Sequence, residues 1–444
     1  MAGLRQTEYM DTDEPYENNY KVLTSPHKNV LLLNLTQKYA ESWGTWEGVR
    51  ELIQNWHDGI YDASEQAAKQ EFFASLTKVE FKVLIEEGDE VIYQAVVSSK
   101  SKPPEVFGYL QYNALQQRLN LINHRTALEK KILLLGYSSH SRHKDVIGQF
   151  GEGLKIGALA LVRKNVQVTM ETNREGWQFV LHPYEHFENE KGLAVFVTKP
   201  EELPFNQQNQ MTSEQFKLGE GDTLVSIYPL HPEKFKICRN RFLFLNPPSD
   251  SVQTEIGTLL LDDRFSGQLF VKGSWVSDLS DDNLNTGVDF CELKIDRDRN
   301  AVPQLSEIDH KVSCMWPRAL EQRRDLAHRY YNLLANNPNC RDVKHASTYA
   351  VTETTAALMA EQFRVNNPDA FPVMDSFAWQ DMQNLQDELQ RKVVSCNQAL
   401  LGLLHKSGRY STLEEARAAM KAKKSDVKPF STLSAIERVL SSMQ

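Results

Sequence analysis

The chain has 444 residues, enough for two or three domains. At 41% apolar and 25% charged residues it can bury a core, which excludes a chain disordered throughout. Fifty basic residues against 59 acidic ones leave a net charge of −9, which excludes a surface coated with positive charge for nucleic acid or anionic lipid.

In chain order, residues 1–24 read as a flexible N-terminal arm, polar and acidic. NVLLLNLTQKYAESW, Asn29 to Trp43, has helical spacing. Thr45 is placed to cap a second helix carrying ELIQNWHDGIYDA, Glu51 to Ala63. At roughly 100° per residue, Glu51, Asn55 and Asp58 share one narrow stripe, with Val49, Leu52, Ile53 and Trp56 opposite. Such a stripe is either a solvated face or one wall of a site. LTKVEFKVLIEEGDEVIYQAVVSS alternates around a Glu-Gly-Asp turn and predicts a hairpin. RLNLINHR reads as a short strand. A polar loop and a glycine-rich turn follow, then an apolar helix from about Leu154 to Arg163. VQVTMETN, GWQFVLH, GLAVFVT and TLVSIYPL read as strands, and 236–300 stays strand-rich through TEIGTLLLDD, GQLFVKGSWV and DFCELKIDRDR. From Ser306 the pattern turns helical to the end, with breaks at ANNPNCRD and NNPDAFPV.

Five cysteines without any CxxC spacing point to reduced thiols in a cytosolic or nuclear compartment. No apolar run approaches the roughly 20 residues of a membrane span, and the N-terminus has no signal-peptide core. The expectation is a soluble intracellular protein, cytoplasmic or nuclear, without a membrane partner.

IGQFGEGLKIG, Ile147 to Gly157, carries the chemistry. Gly148, Gly151 and Gly153 allow close approach of a ligand to the backbone. The helix they open presents unpaired N–H groups and the positive end of its dipole, a phosphate site that Lys155 reinforces. The loop is not of Walker type, since GxxxxGK followed by Ser or Thr is missing, and its surroundings are not those of a dinucleotide fold.

Together the two stretches resemble the GHKL ATPase superfamily: DNA gyrase B, MutL, histidine kinases, the MORC proteins and the ninety-kilodalton heat-shock chaperones. Glu51, Asn55 and Asp58 match its helical ExxxNxxD box, and Gly148, Gly151 and Gly153 its GxxGxG box. The wording GQFGEGLK is closest to the chaperone-like and MORC-like versions. The resemblance covers roughly residues 25–230. It implies an α+β fold: a Bergerat-type α/β sandwich, a mixed sheet covered on one face by helices, over 25–235. A β-rich transducer-like domain over 236–335 and a helical region over 336–444 complete the expectation.

Carried over from the resemblance, Glu51 is the general base that orients water on the γ-phosphate. Asn55 binds Mg²⁺, and Asp58 lies at the nucleotide edge or holds the lid. Gln149, Phe150 and Leu154 line the nucleotide beside the glycines and Lys155. GYSSHSRHKDV, Gly136 to Val146, is the ATP lid, with Ser138, Ser139, Arg142, His143 and Lys144 as phosphate contacts. Thr223 in GDTLVSIYP matches a late Thr that supports adenine. The family's DxGxG, whose Asp accepts from the adenine amino group, is replaced by LINHRTAL: Asn123 stands for the Asp and Arg125 for a Gly. Asn can still accept from that amino group. Lys272, Arg297 and Arg299 are candidate γ-phosphate sensors.

Two functions follow: an Mg²⁺-dependent ATPase whose cycle closes the lid and dimerises the chain, or a non-catalytic nucleotide sensor with an altered adenine site. Glu51 favours the first, Asn123 and Arg125 the second. A histidine kinase is disfavoured because His27, in SPHKN, lies in a Pro-containing loop. A MORC-like DNA clamp is disfavoured by the acidic balance, although ARAAMKAKKSDVK is locally basic.

Overall fold

The computed structural model describes residues 29–70, 78–98, 103–134, 152–184, 188, 190–198, 218–296, 304–349 and 352–426. The expected arm, the loop 136–146 with Ser138 and Ser139, and Gly148, Gln149, Phe150, Gly151, Arg297 and Arg299 lie outside the described residues. The chain divides into two compact units, Met1–Pro247 and Pro248–Gln444.

The first unit runs β1 (Asn29–Thr36), α1 (Thr45–Gln70), β2 (Lys78–Glu87), β3 (Glu90–Ser98), β4 (Glu105–Asn113), β5 (Arg118–Asn123), α2 (Gly153–Arg163), β6 (Gln167–Thr172), β7 (Glu175–Pro183), β8 (Lys191–Thr198), β9 (Thr223–Tyr228) and α3 (Pro232–Asn240). Its nine strands form one sheet in the order β1-β8-β7-β6-β9-β5-β4-β3-β2. Every pairing in it is antiparallel, where a mixed sheet was expected. β9 is the central strand and is buried at all but its last position, whereas β2, at the edge, is exposed along most of its length. The expected hairpin is β2–β3, turning at Gly88 with φ +58°.

Two local expectations are corrected. Asn29 to Thr36 is a strand, not a helix. Its burial alternates, with Leu33 and Leu35 inside and Val30 and Leu32 outside, and its backbone groups are satisfied by β8. Thr45 is not a side-chain cap, because its hydroxyl is buried without a partner among the described residues. Instead Glu47 Oε2 accepts from Gly44 N at 2.8 Å, and its charge suits the positive helix end.

α1 packs on β4 and β5, α2 on β6 and β7, and the two helices touch each other. Glycines make that contact close. A Cβ on Gly48 would stand 2.6 Å from Leu161 Cγ and 2.9 Å from Gly157 O, and one on Gly157 3.1 Å from Gly48 O. Arg163, at the end of α2, donates to the carbonyls of Gln37, Tyr39, Ala40 and Trp43, tying down the segment that enters α1.

The second unit runs β10 (Ser251–Gln253), β11 (Gly257–Leu260), β12 (Gln268–Val271), β13 (Ser274–Asp278), β14 (Gly287–Phe290), α4 (Leu305–Gln322), α5 (Ala327–Asn336), α6 (Ala346–Tyr349), α7 (Glu353–Asn366), β15 (Phe371–Met374), α8 (Trp379–Leu389), β16 (Val393–Cys396), α9 (Gln398–Lys406) and α10 (Leu413–Asp426). Five strands form a sheet in the order β10-β11-β14-β12-β13. One hydrophobic core extends from Val252 through Trp316 and Tyr330 to Leu404. The strands after Pro248 and the helices beyond 335 thus share a core, although the sequence reading assigned them to separate regions. The region read as mainly helical also contains a parallel pair, β15–β16, separated by α8. No helix among the described residues is long and apolar enough to cross a membrane.

Gly48→Ala forces its methyl into Leu161 and the Gly157 carbonyl. It should lower stability by about 1–3 kcal/mol, read as a lower midpoint in urea denaturation. An unchanged midpoint would contradict the close helix contact.

Candidate functional site

The polar stripe of α1 is not a solvated face. Glu51 is 4% exposed and Asp58 is fully buried. Glu51 Oε1 accepts from Arg50 Nε at 3.2 Å and Nη2 at 3.1 Å, and the Arg50 guanidinium lies 5.3 Å from the Trp43 ring centroid. The pair is fully inside the protein, so neither charge can lose the other cheaply. Glu51 Oε2 lies against Gly153, the first residue of α2, where any side chain would collide with it. Gly153 is therefore small because a carboxylate occupies the space at the start of α2.

One turn further along α1, Asn55 Nδ2 is buried and meets no acceptor among the described residues. An orphaned amide in a folded protein usually marks an absent partner. Asp58 behaves differently. Its Oδ1 sits 3.0 Å from His57 Nδ1, and the His57 ring stacks on Phe81 at 5.3 Å.

Beside the middle of α1, three strand residues stand in a row. Thr223 of β9 is the register partner of both Asn123 on β5 and Thr172 on β6. Asn123 Nδ2 donates to Trp56 O at 2.7 Å. Thr223 Oγ1 donates to Thr126 O at 2.7 Å, and Leu128 N donates to Thr172 Oγ1 at 2.8 Å. The 2.9 Å contact between the two hydroxyls then takes its proton from Thr172, since that of Thr223 is already engaged. This relay pins residues 126–128 to the middle of the sheet. Asn173 adds a bond from Nδ2 to Leu128 O at 2.7 Å.

Arg125, where the family pattern has glycine, takes φ +60°, so the turn keeps a left-handed backbone without one. Asp222 holds it there. Its Oδ1 accepts from Arg125 N at 3.1 Å and its Oδ2 from Gly219 N at 2.8 Å, with His124 Nδ1 also 2.8 Å from Oδ2. Burial pushes the Asp222 carboxyl up, but the His124 ring and the two backbone N–H groups outweigh burial and leave it below the ordinary range.

Lys155, expected beside phosphates, is fully buried in the first turn of α2. Its Nζ donates to Ile132 O at 3.1 Å and Leu134 O at 2.6 Å, and burial pushes it below the usual lysine range. Its ammonium is thus committed to the backbone. Leu154 is half-buried beside it, and the side chain of Glu152, at the N-cap, makes no capping hydrogen bond. Lys272 lies in the second unit, in the two-residue turn joining β12 to β13, with φ +51° followed by Gly273 at +75°. Its own N–H donates to Phe290 O at 3.0 Å, and the next one, of Gly273, to Asp289 Oδ1 at 2.9 Å. That hairpin explains the residue as a turn position.

The structure therefore brings Glu51, Asn55, Gly153 and Asn123 around α1 and joins Thr223 to Asn123 through the sheet. The sequence reading missed Arg50, Thr172 and Asp222. Arg50 was visible beside Glu51. Thr172 had no local signal, because its partners lie 44 and 51 residues away. No protein-family model and no curated protein matches the chain.

Thr223→Val keeps the shape and removes the hydroxyl, orphaning the Thr172 proton and the Thr126 carbonyl. It should cost about 1–3 kcal/mol in chemical denaturation, while Thr223→Ser stays near wild type. Equal midpoints for all three would remove the relay.

Proposed function

We propose that the first unit binds ATP with Mg²⁺ and hydrolyses it, on a Bergerat-type fold of the GHKL kind. The observation that carries this reading is the pairing on α1 of a buried carboxylate, set against the glycine start of α2, with an amide one turn away whose buried Nδ2 meets no acceptor among the described residues. The N-terminus of α2 suits phosphate oxygens, and the Asn55 amide is a donor in need of one.

Asn55 also fits as a metal ligand through its oxygen, since Mg²⁺ takes oxygen donors and keeps several waters. In this reading the Mg²⁺ ion arrives with the nucleotide. When bound, that ion neutralises charge on the phosphate oxygens. Glu51 orients and deprotonates the attacking water through Oε2, while Arg50 anchors Oε1 and keeps the carboxylate from swinging. The N–H groups of the first turn of α2 stabilise the charge that develops on phosphate. Asn123 and Thr223 support the adenine end. Coupling of nucleotide state to lid closure and to an ATP-bound homodimer is carried over from the family resemblance alone.

A second reading, a non-catalytic nucleotide sensor, rests on the departures from the resembled pattern at Asn123 and Arg125. The amide of Asn123 is already engaged by Trp56.

Glu51→Gln, whose amide oxygen can still accept from Arg50, should leave ATP binding intact by calorimetry and lower phosphate release about 10²–10⁴-fold. Equal turnover in wild type and variant would discard the ATPase and leave the sensor. No binding of ATP or ADP at millimolar concentration would discard both.

A further inference from the structure

We infer that position 123 is built as a neutral amide that selects what the pocket holds, and that an ionised aspartate, the residue of the resembled pattern, is excluded there by the Trp56 carbonyl. The ligand half of this inference rests on the proposed nucleotide site; the structural half does not.

Asn123 is 7% exposed and closes β5. Its backbone is locked in register, opposite Gly108 on one side and Thr223 on the other. Side chains on a strand alternate between faces, so this one cannot change face without breaking the pairing. Nδ2 stands 2.7 Å from Trp56 O, a hydrogen bond only because the nitrogen carries protons. A carboxylate in the same place would set two acceptor oxygens together with no proton between them. In a buried site that contact favours the protonated form of the acid.

A second feature of α1 fits the amide. Gly59 lies beneath it, and a Cβ there would come within 3.1 Å of Nδ2 and 3.5 Å of Cγ. The helix thus gives up a side chain, at a position where glycine weakens helices, and the Asn123 amide fills the notch. Trp56 closes the arrangement by donating Nε1 to Ile122 O at 2.9 Å, so the helix and the end of β5 are tied twice. No described residue donates to Asn123 Oδ1. With Nδ2 committed, Oδ1 is the atom left for a ligand. It is an uncharged acceptor, matched to an exocyclic amine such as that of adenine, and it forms a weaker bond than a carboxylate would.

Asn123→Asp and Gly59→Ala test this in the full chain, with ATP and Mg²⁺ as the probe. Asn123→Asp should resemble wild type in Tm at pH 5, where a protonated carboxyl can donate to Trp56 O. The folded state raises the pKa of the new acid, so stability is lost as pH rises, and Tm should fall about 3–8 °C below wild type by pH 8. ATP affinity of Asn123→Asp at pH 7.5 should drop at least about tenfold. Gly59→Ala crowds the amide while improving helix propensity, so it should weaken ATP binding with little loss of Tm. A variant Asn123→Asp with wild-type Tm at pH 8, or with tighter ATP binding, would overturn the inference. Absence of ATP binding by wild type, together with the pH-dependent Tm loss, would sink the nucleotide reading and uphold the exclusion of aspartate.

Discussion

The first unit depends on how closely α1 and α2 approach each other. Gly48, Gly153 and Gly157 remove the side chains that would hold the helices apart. That approach seals Glu51 between them, at the end of α2 where a negative charge is most favourable. A buried carboxylate needs a partner, and Arg50 supplies one at Oε1. The second oxygen faces the turn that opens α2. A glycine at 153 therefore has two consequences. It allows packing, and it determines which atom of Glu51 meets whatever sits at that turn.

The middle of α1, at Trp56 and Gly59, meets the centre of the sheet. β5, β9 and β6 are neighbours at its centre, so Asn123, Thr223 and Thr172 arrive side by side from three distant parts of the chain. Hydroxyl groups then pass hydrogen bonds outward to residues 126–128, and Asp222 gathers the turn at 124 and 125. The backbone strain at Arg125 persists because these bonds over-determine the turn. Glycine is therefore not required for the left-handed backbone at Arg125. The amide at 123 is part of the same construction.

The local pattern was legible where a periodicity ran long enough. The α1 stripe, the EEGDE hairpin and the apolar run of α2 all have lengths at which one period wins. It failed for Asn29 to Thr36, whose leucine-rich run fits both periods and whose strand character comes from β8, more than 150 residues away. It failed again for Phe371–Met374 and Val393–Cys396, four-residue strands too short to show alternation, which pair with each other and pack on Leu385 of α8. Lys155 shows the same limit at a single residue. A lysine in the first turn of a glycine-opened helix reads as a phosphate contact, yet two backbone carbonyls 21 and 23 residues upstream take its ammonium.

By itself the sequence determined which residue types could form a site and roughly where along the chain they fall: a carboxylate and an amide one turn apart on a helix, and glycines opening another helix. Helical geometry alone sets that spacing, so no fold is needed to read it. Tertiary structure alone decided which of those groups are committed elsewhere. Burial and long-range hydrogen bonds engaged Lys155 and the Asn123 amide, and Asp58 sits buried against the neighbouring His57. The fold left the Asn55 amide without an acceptor among the described residues. Whether a polar atom is satisfied depends on neighbours that the chain brings together only when it folds.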